Sequence, residues 1–305
     1  MLKHVLDGGM GQELLRRSTG RVRIPEGAWS AGFLLCSEGR RLVQDLHQEY
    51  LQAGATIITS NTYSCTADVA AAVGRPLAAM IGDACRTAQA AIDAEDANQK
   101  KSRGLLAGSL PSLCASTGSE MSAQYTELAG LLHEHGADIL LCESMSCVAE
   151  AHAAATAAAA TGLPVWVAVE ARGGGTLVSG EALTATAHEL SSVVGMQALL
   201  LNSCTIEHAT ESVAELVTVS SLRGWLCGIY ADNARALSPE AQPQESPMLD
   251  PGRMPLASSE EFGQLGLRWA RQGVGVVGGC CGFVPRDITA LVNAVQREHE
   301  CKLGC

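Results

Sequence analysis

Short runs of apolar residues recur eight times along the chain, and each is followed by a stretch with helical periodicity. The runs are continuous rather than alternating, which is typical of strands covered on both faces. The predicted strands are His4–Leu6, Thr56–Thr59, Gly104–Ala107, Ile139–Cys142, Val165–Val169, Ala198–Leu201, Trp225–Tyr230 and Val274–Val277. The predicted helices are Glu38–Ala53, Asp68–Glu95, Glu120–His135, Val148–Thr161, Ala182–Val194, Glu207–Ser220, Ser259–Gln272 and Arg286–His299.

Regular alternation of strand and helix predicts a parallel sheet. Eight such units in 305 residues match the usual size of a (β/α)8 TIM barrel. An open, doubly wound sheet is the alternative, but no Gly-x-Gly-x-x-Gly turn follows the first strand. We therefore predict an α/β fold with a single barrel domain over residues 1–305, and a C-terminal tail that frays from about residue 300.

Two connections are predicted to be long and irregular. They are Arg17–Cys36, which leads into the first predicted helix, and Ala234–Ser258, which contains five prolines. Both leave the end of the barrel where active sites are built, so we expect them to close over a substrate or to form a subunit contact in a homo-oligomer. Passive insertion is the alternative. A break is also predicted inside Asp68–Glu95, at Gly74-Arg75-Pro76.

The composition excludes some partners. The formal charge is −11, and no cluster of Lys and Arg interrupts this acidic balance, which argues against a nucleic-acid partner. Aromatic residues make up only 4% of the chain, so stacking platforms for bases are not expected either. The uncharged run Ala153–Val169 is rich in Ala and Thr and contains Pro164, which favours a helix, a turn and a strand over a membrane span.

Twelve cysteines are many for a chain of this length. The segment Met1–Gly11 lacks the apolar core of a secretion signal, so we expect a cytoplasmic protein with most thiols reduced. Nine of the cysteines are interpreted as filler or surface thiols, and they are Cys36, Cys65, Cys85, Cys114, Cys142, Cys147, Cys227, Cys301 and Cys305.

The remaining thiols include two adjacent ones in the segment Gly273–Gly282, where an apolar run ends in Gly278 and Gly279. Neighbouring side chains of a strand point to opposite faces, but glycines let the backbone turn, so Cys280 and Cys281 can converge on one point. Converging thiols suggest a soft metal, most plausibly zinc. Buried core thiols are an equally open interpretation, and a strained vicinal disulfide is a minor one.

Polar and reactive side chains follow the predicted strands at the end where barrel active sites are built, and these are Asp7, Asn61, Glu143, Asn202, Cys204, Asp232, Cys280 and Cys281. Cys204 ends the sixth strand, and Cys280 with Cys281 ends the eighth, so only one strand separates them. Three thiolates with an open fourth position form a catalytic zinc pattern rather than a closed structural one.

At these residues the chain resembles the zinc-dependent homocysteine S-methyltransferases. The resemblance spans nearly the whole sequence, and its motifs are Asp7–Leu14, Ala28–Ala31, Gly54–Thr59, Asn61–Tyr63, Cys142–Ser144, Cys204 and Gly278–Gly282. The chain departs from the family in two places. Ser203 precedes the first zinc cysteine where the family commonly has Asn, and Ala231-Asp232-Asn233 follows the seventh strand where the family often has Pro-Asn.

The resemblance implies that Cys204, Cys280 and Cys281 bind Zn2+, and that Asp7 and Glu143 hold the ammonium group of homocysteine. The other residues that it assigns to the substrate site are Gly8, Gly9, Trp29, Asn61 and Tyr63. Ordinary roles remain open for the two acids, because Asp7 is also suited to cap a glycine turn and Glu143 to start a helix.

The expected reaction is methyl transfer to homocysteine, which gives methionine. A free thiol titrates near pH ~8.5, so zinc is needed to hold the acceptor as a thiolate at neutral pH. S-methylmethionine or S-adenosylmethionine is the favoured donor, and the alternatives are a betaine-type or methyl-folate donor or another thiol acceptor. Two further classes remain open, namely a non-catalytic zinc-thiolate protein and a dithiol redox enzyme that uses Cys280 and Cys281.

Overall fold

A computed structural model describes residues 2–18, 20–98, 103–113, 118–233 and 257–303. Its strands are β1 His4–Val5, β2 Ile57–Thr59, β3 Leu105–Leu110, β4 Ile139–Met145, β5 Val165–Glu170, β6 Met196–Thr205, β7 Leu226–Asp232 and β8 Val276–Val277. They form one parallel sheet of eight strands in the order β1-β8-β7-β6-β5-β4-β3-β2. The sheet curls into a nearly closed barrel, which confirms the predicted fold class.

Helices separate the strands along the chain and cover the outside of the barrel. They are α1 Met10–Ser18, α2 Ser37–Gln52, α3 Ala67–Val73, α4 Leu77–Asn98, α5 Gly118–Glu134, α6 Val148–Ala159, α7 Leu183–Leu190, α8 Ile206–Ser221, α9 Ser259–Arg271 and α10 Pro285–Leu303, with a 3₁₀ helix at Trp29–Leu35. In the part of the chain that the structure describes, no helix is long and apolar enough to cross a membrane.

The barrel closes between β1 and β2, where the pairing is shortest. Leu6 and Ile57 form an isolated parallel bridge. The backbone N–H of Thr56 donates to the Val5 carbonyl at 2.8 Å, and the Thr56 hydroxyl oxygen accepts from the Val5 N–H at 3.0 Å. A side chain therefore supplies part of the hydrogen bonding at the seam.

The core has two layers because side chains of a strand alternate between its faces. On β2, for example, Ile57 points into the barrel and Ile58 points out towards the helices. All buried members of the interior cluster lie in the strands or directly at their ends. They are Leu6, Ile57, Ala107, Ile139, Leu141, Trp166, Ala168, Ala198, Leu200, Tyr230 and Val276. The larger cluster fills the layer between barrel and helices.

Several boundaries differ from the prediction. The irregular connection predicted over Arg17–Cys36 is wrong in its second half, because Trp29–Leu35 is a 3₁₀ helix. Its Phe33 and Leu34 are fully buried, and this apolar packing fixes the segment. The predicted helix break is confirmed, since α3 ends at Gly74 in the left-handed conformation, with φ of 66°.

Strands β4 and β6 are longer than predicted, and the difference positions functional groups. Glu143 and Cys204 were expected just after these strands but lie inside them. Each strand has a register shift, between Cys142 and Met145 in β4 and between Asn202 and Thr205 in β6. Such bulges redirect side chains at the end of a strand.

Two sequence predictions concern residues of which little is described. Most of the segment 234–258 lies outside the described residues, so its role in closure or subunit contact stays a prediction. Helix α10 continues to Leu303, and the fraying expected from about residue 300 likewise stays a prediction.

Candidate active site

A cavity of about 110 Å³ opens at the carboxyl ends of the strands. Nine of the ten predicted site residues line it, and they are Asp7, Gly8, Gly9, Trp29, Asn61, Tyr63, Glu143, Cys280 and Cys281. The tenth, Cys204, does not line the cavity. The sequence motifs therefore meet at one place, although their individual roles stay predictions.

The turn after β1 packs directly against the cysteine turn after β8. The Gly9 N–H donates to the Phe283 carbonyl at 2.9 Å, and the Tyr50 hydroxyl donates to the same carbonyl at 3.1 Å. A β-carbon at Gly8 would come within 2.7 Å of the Phe283 oxygen, and one at Gly9 within 2.7 Å of the Cys280 oxygen. Only glycine fits both positions without moving the cysteine turn.

Asp7 is buried and fixed by β2. The Thr59 N–H donates to one carboxylate oxygen at 2.8 Å, and the Thr59 hydroxyl donates to the other at 3.1 Å. Burial raises the pKa of Asp7 to about 7, an effect that the hydrogen bonds from Thr59 oppose and the charge of Glu143 reinforces. The carboxyl group therefore needs a cationic partner to remain ionised at neutral pH.

Glu143 is the second buried acid of the cavity. The Tyr230 hydroxyl donates to one of its oxygens at 3.1 Å, and the Ser109 hydroxyl donates to the other. Burial raises the pKa of Glu143, while these two hydrogen bonds oppose the rise. Two neutral donors thus hold the carboxylate in place without neutralising it, so its charge is available to a ligand.

Three non-glycine residues in the described chain adopt left-handed backbone conformations, and all three line the cavity. They are Trp29, Ser144 and Ser203, with φ of 43°, 58° and 47°. Such conformations carry strain of order 1–3 kcal/mol and cluster at functional sites. Here the two serines accompany the register shifts of β4 and β6, and Trp29 begins the 3₁₀ helix.

Hydrogen bonds across the rim hold the strained serines. Their hydroxyl oxygens lie 2.6 Å apart. Asn202 accepts from the Ser144 N–H at 3.0 Å and donates to the Ser144 hydroxyl at 3.1 Å. Asn202 thereby connects the ends of β4 and β6, next to Glu143 on one strand and Cys204 on the other.

The cysteine turn is joined to the end of β7. The Cys280 N–H donates to the Ala231 carbonyl at 3.0 Å, and the Cys281 N–H donates to the Asp232 carboxylate at 3.1 Å. Asp232, Cys280 and Cys281 place a carboxylate oxygen and two sulfur atoms within 4.8 Å of one another. The predicted convergence of the two thiols is therefore present, with a carboxylate beside them.

Cys204 does not belong to this cluster of described side chains. It is 4% exposed, and burial raises the pKa of its thiol to about 12, with the charges of Asp232 and Glu170 adding to the rise. A backbone hydrogen bond from Ala171 favours the thiolate in return. Its sulfur thus lies within electrostatic range of Asp232 without joining the three close atoms.

The donor atoms of the cluster fit a zinc ion. Zinc takes thiolate sulfur and carboxylate oxygen as ligands. Burial raises the pKa of Asp232 to about 6, and the pKa of Cys280 is held well above its usual range by its hydrogen bond with Cys281, by burial and by Asp232. A divalent cation reverses this preference, because metal binding favours deprotonated ligands.

Some residues of the cavity were not identified as site residues from the sequence. They are Ser144, Ser203 and Tyr230. Ser109 and Asp232, which contact the lining residues Glu143 and Cys281, were not identified either. Asp232 had been placed at the correct end of the barrel but without a role. Tyr230 and Ser109 continue apolar runs, and only their pairing with Glu143 distinguishes them from core residues.

Comparison with known proteins agrees with this architecture. The family described as homocysteine S-methyltransferase matches residues 4–295. A homocysteine S-methyltransferase of Bacillus subtilis is 25% identical over 94% of this chain and 92% of its own length. A selenocysteine Se-methyltransferase of Brassica oleracea var. italica is 27% identical over 94% of this chain and 87% of its own length.

Among solved structures, the metallated form of the homocysteine methyltransferase MmuM from Escherichia coli superposes with a TM-score of 0.78 at 24% identity, covering 94% of both chains. This likeness supports the barrel fold. Because the family match covers nearly the whole sequence, the chain belongs to the homocysteine S-methyltransferase family and is an enzyme of that class.

Proposed function

We propose that this enzyme transfers a methyl group from a sulfonium donor, S-methylmethionine or S-adenosylmethionine, to the thiol of homocysteine, with zinc bound by Cys204, Cys280 and Cys281. The observation that carries the proposal is the position of two buried carboxylates, Asp7 and Glu143, in the same cavity as the two adjacent thiols. An amino acid with a thiol side chain needs both kinds of group, because carboxylates bind its ammonium and the metal-binding thiols lie beside its sulfur.

Asp7 and Glu143 would bind the ammonium group of the acceptor. Each carboxylate is already held by neutral donors from other strands of the barrel, so little reorganisation is needed when the cation enters. The raised pKa of both acids favours a cationic ligand, since the bound ammonium stabilises their ionised forms. The amino acid is thereby oriented with its side chain free to reach the thiols.

Zinc, when bound, supplies the positive charge that keeps an acceptor thiol deprotonated at neutral pH. The chain's own part is to position the sulfur and to exclude water. The rigid turn around Gly9 and Phe283 holds the thiol motif against the ammonium site. In the reaction the acceptor sulfur forms a new S–CH3 bond, the donor's S–CH3 bond breaks, and the donor leaves as a neutral thioether.

A sulfonium donor is favoured on two grounds. Its charge makes the leaving group neutral, so no acid is needed to protonate it. The sequence Trp29-Ser30-Ala31 also resembles the context found in the S-methylmethionine-using members of the family. Trp29 lines the cavity and packs against Gly11, where a β-carbon would come within 2.8 Å of its ring.

A second acceptor follows from one of the comparisons. A relative at 27% identity is named a selenocysteine Se-methyltransferase, and a selenol, like a thiol, accepts a methyl group as its anion. Selenocysteine is therefore a candidate acceptor alongside homocysteine, and the two differ by one methylene in length.

The test is zinc analysis of freshly reduced protein, followed by methyl transfer to homocysteine from S-methylmethionine, S-adenosylmethionine, betaine and methyltetrahydrofolate in parallel. We expect about one zinc per chain and turnover with a sulfonium donor. Selenocysteine replaces homocysteine in a matched series. Turnover with betaine or methyltetrahydrofolate alone would overturn the donor assignment, and full activity in zinc-free protein would overturn the metal.

A further inference from the structure

We propose that Asp232 is itself a metal ligand in this chain when no acceptor is bound, so that a carboxylate oxygen joins the thiolates of Cys280 and Cys281 and gives up its position to the acceptor thiol in the reaction. The inference rests on the proposed function, because it concerns the same ion. It goes beyond the three-cysteine set implied by the sequence, in which Asp232 had no role.

Distance carries the first step. The oxygen of Asp232 and the sulfurs of Cys280 and Cys281 lie within 4.8 Å of one another. Ligands at about 2.0–2.3 Å from a tetrahedral ion lie roughly 3.5–4 Å apart. The three atoms thus need movements of only about 1 Å to bind one ion. Cys204, by contrast, does not reach all three among the described side chains.

The backbone fixes this arrangement. The backbone N–H of Cys280 donates a hydrogen bond to the Ala231 carbonyl, and the Asn233 N–H donates to the Cys281 carbonyl at 2.8 Å. Between these two bonds, the Cys281 N–H donates to one oxygen of Asp232. The sulfur atoms of both cysteines also lie within 4.8 Å of a carboxylate oxygen. The carboxylate is therefore held towards the sulfurs rather than turned to solvent.

Charge supplies the second step. Asp232 is half-buried, and a partly desolvated carboxylate beside two ionisable thiols is stabilised when a cation joins them. In the residues that the structure describes, the ion pairs of Lys, Arg and His involve other acids, and none involves Asp232. The charge of Asp232 in turn raises the pKa of two acidic neighbours, Glu170 and Cys204. A bound cation is the partner that this group requires.

An alternative role must be distinguished from ligation. Through its bond to the Cys281 N–H, Asp232 would also act as a positioning residue that orients the cysteine turn. Loss of an outer-shell partner of this kind typically lowers metal affinity by about 10–100-fold. Replacing a ligand, unlike replacing a positioning residue, also changes which atoms bind the ion.

Glu170 offers a matched control. It ends β5, is partly buried, and its pKa is raised to about 7 by burial and by the charge of Asp232. Glu170→Gln therefore removes one negative charge from the same neighbourhood without touching the three-atom cluster. If Asp232 acts through its field alone, Asp232→Asn and Glu170→Gln should weaken zinc binding to the same extent.

The experiment measures zinc affinity of the full chain at pH 8 by competition with a chromophoric chelator, for wild type, Asp232→Ala, Asp232→Asn and Glu170→Gln. We expect a few-fold loss for Glu170→Gln and a loss of more than about 100-fold for Asp232→Ala, beyond the range of an outer-shell partner. Circular dichroism and thermal unfolding of each variant report whether the barrel is intact.

X-ray absorption at the zinc edge measures the number of sulfur atoms around zinc, which would not change if Asp232 only positioned the cysteine turn. In Asp232→Cys we expect one more sulfur around zinc than in wild type, at about 2.3 Å, in place of an oxygen. An unchanged sulfur number, or Asp232→Ala binding zinc as well as Glu170→Gln does, would overturn the ligand role and leave the zinc proposal standing. A wild-type chain that takes up no zinc would overturn both.

Discussion

Two walls of the same cavity bear acids, and they are built in opposite ways. On the carboxylate wall, Asp7 and Glu143 each accept hydrogen bonds from neutral donors on other strands of the barrel. On the thiol wall, the carboxylate of Asp232 and the thiols of Cys280 and Cys281 lie mainly against one another and against backbone N–H groups. The acids of the first wall have side-chain hydrogen-bond donors within the protein, whereas those of the second lie mainly against one another, where a cation would stabilise them.

The pKa values follow this difference. Around Asp7, burial raises the pKa and the bonds from Thr59 oppose the rise. Around Cys280, the bond with Cys281, burial and the nearby Asp232 all act in the same direction. Under the proposed function, the carboxylate wall would accept an ammonium group directly, while the thiol wall would act only once metal is bound.

The largest effect is expected from substitutions that remove the metal from the thiol wall. Cys281→Ala should abolish both zinc binding and methyl transfer, because the two remaining thiols and the carboxylate hold the ion too weakly. Metal analysis and turnover measure this, and circular dichroism should show an intact barrel. The same loss is expected for Cys280→Ala and Cys204→Ala. Full activity in zinc-free Cys281→Ala would remove the basis of the comparison.

A change on the carboxylate wall should instead spare the metal. Glu143→Ala should retain zinc but raise KM for homocysteine by about 10–150-fold, since a hydrogen bond to a charged group contributes roughly 1.5–3 kcal/mol. Steady-state kinetics at saturating donor, with zinc analysis of the same sample, check the result. Loss of zinc in this variant would show that the two walls are not independent.

The pH dependence sharpens the role of Asp7. Its pKa of about 7 means that the carboxyl group is protonated, and unable to pair with an ammonium, below that pH. Methionine binding therefore should weaken as pH falls below about 7, by up to tenfold per unit. Methionine is the better ligand here because it has no thiol to titrate. A wild-type pH profile in Asp7→Asn would contradict the assignment.

Smaller effects are expected from the donors that hold Glu143. Tyr230→Phe and Ser109→Ala each remove one hydrogen bond to this carboxylate. Each should raise KM for homocysteine by about 2–10-fold with kcat little changed, because the remaining donor still positions the acid. The double variant is the diagnostic measurement, and we expect its loss to exceed the product of the single losses.

The smallest effect tests whether the remaining thiols are passive. Cys36 is exposed and caps α2, with its sulfur accepting from the Gly39 N–H. Cys36→Ser should leave zinc content and turnover unchanged, and raise the free energy of unfolding by up to about 1 kcal/mol, because serine is a preferred cap. Chemical denaturation measures the second effect. A fall in zinc content would mean that metal loading involves more of the cysteines.

The sequence predicted the barrel because strand and helix alternation is a local signal. Continuous apolar runs such as Val165–Val169 identify buried strands, and the Gly-Gly-Cys-Cys turn identifies where one of them ends. The site motifs followed, since parallel strands bring their carboxyl ends to one rim. Asp7 and Cys280, far apart in the chain, could therefore be expected at a common cavity.

The remaining features depend on contacts between distant residues. A register shift of one residue in β4 or β6 is set by the neighbouring strand, so the left-handed serines 144 and 203 left no local signal. Tyr230 resembles any aromatic core residue until its hydroxyl is paired with Glu143. Asp232 likewise gained its importance only from the turn that packs beside it.

The pairing of β1 with β8 has a consequence for the order in which the cavity is completed during synthesis. The two are the first and the last described strands in the chain, yet they lie side by side and bear Asp7 and the cysteine turn. At about 5–20 residues per second, a ribosome needs roughly tens of seconds between them. A nascent chain therefore contains both acids of the carboxylate wall long before Cys280 and Cys281 are synthesised, so the thiol wall is the last part of the cavity to be completed.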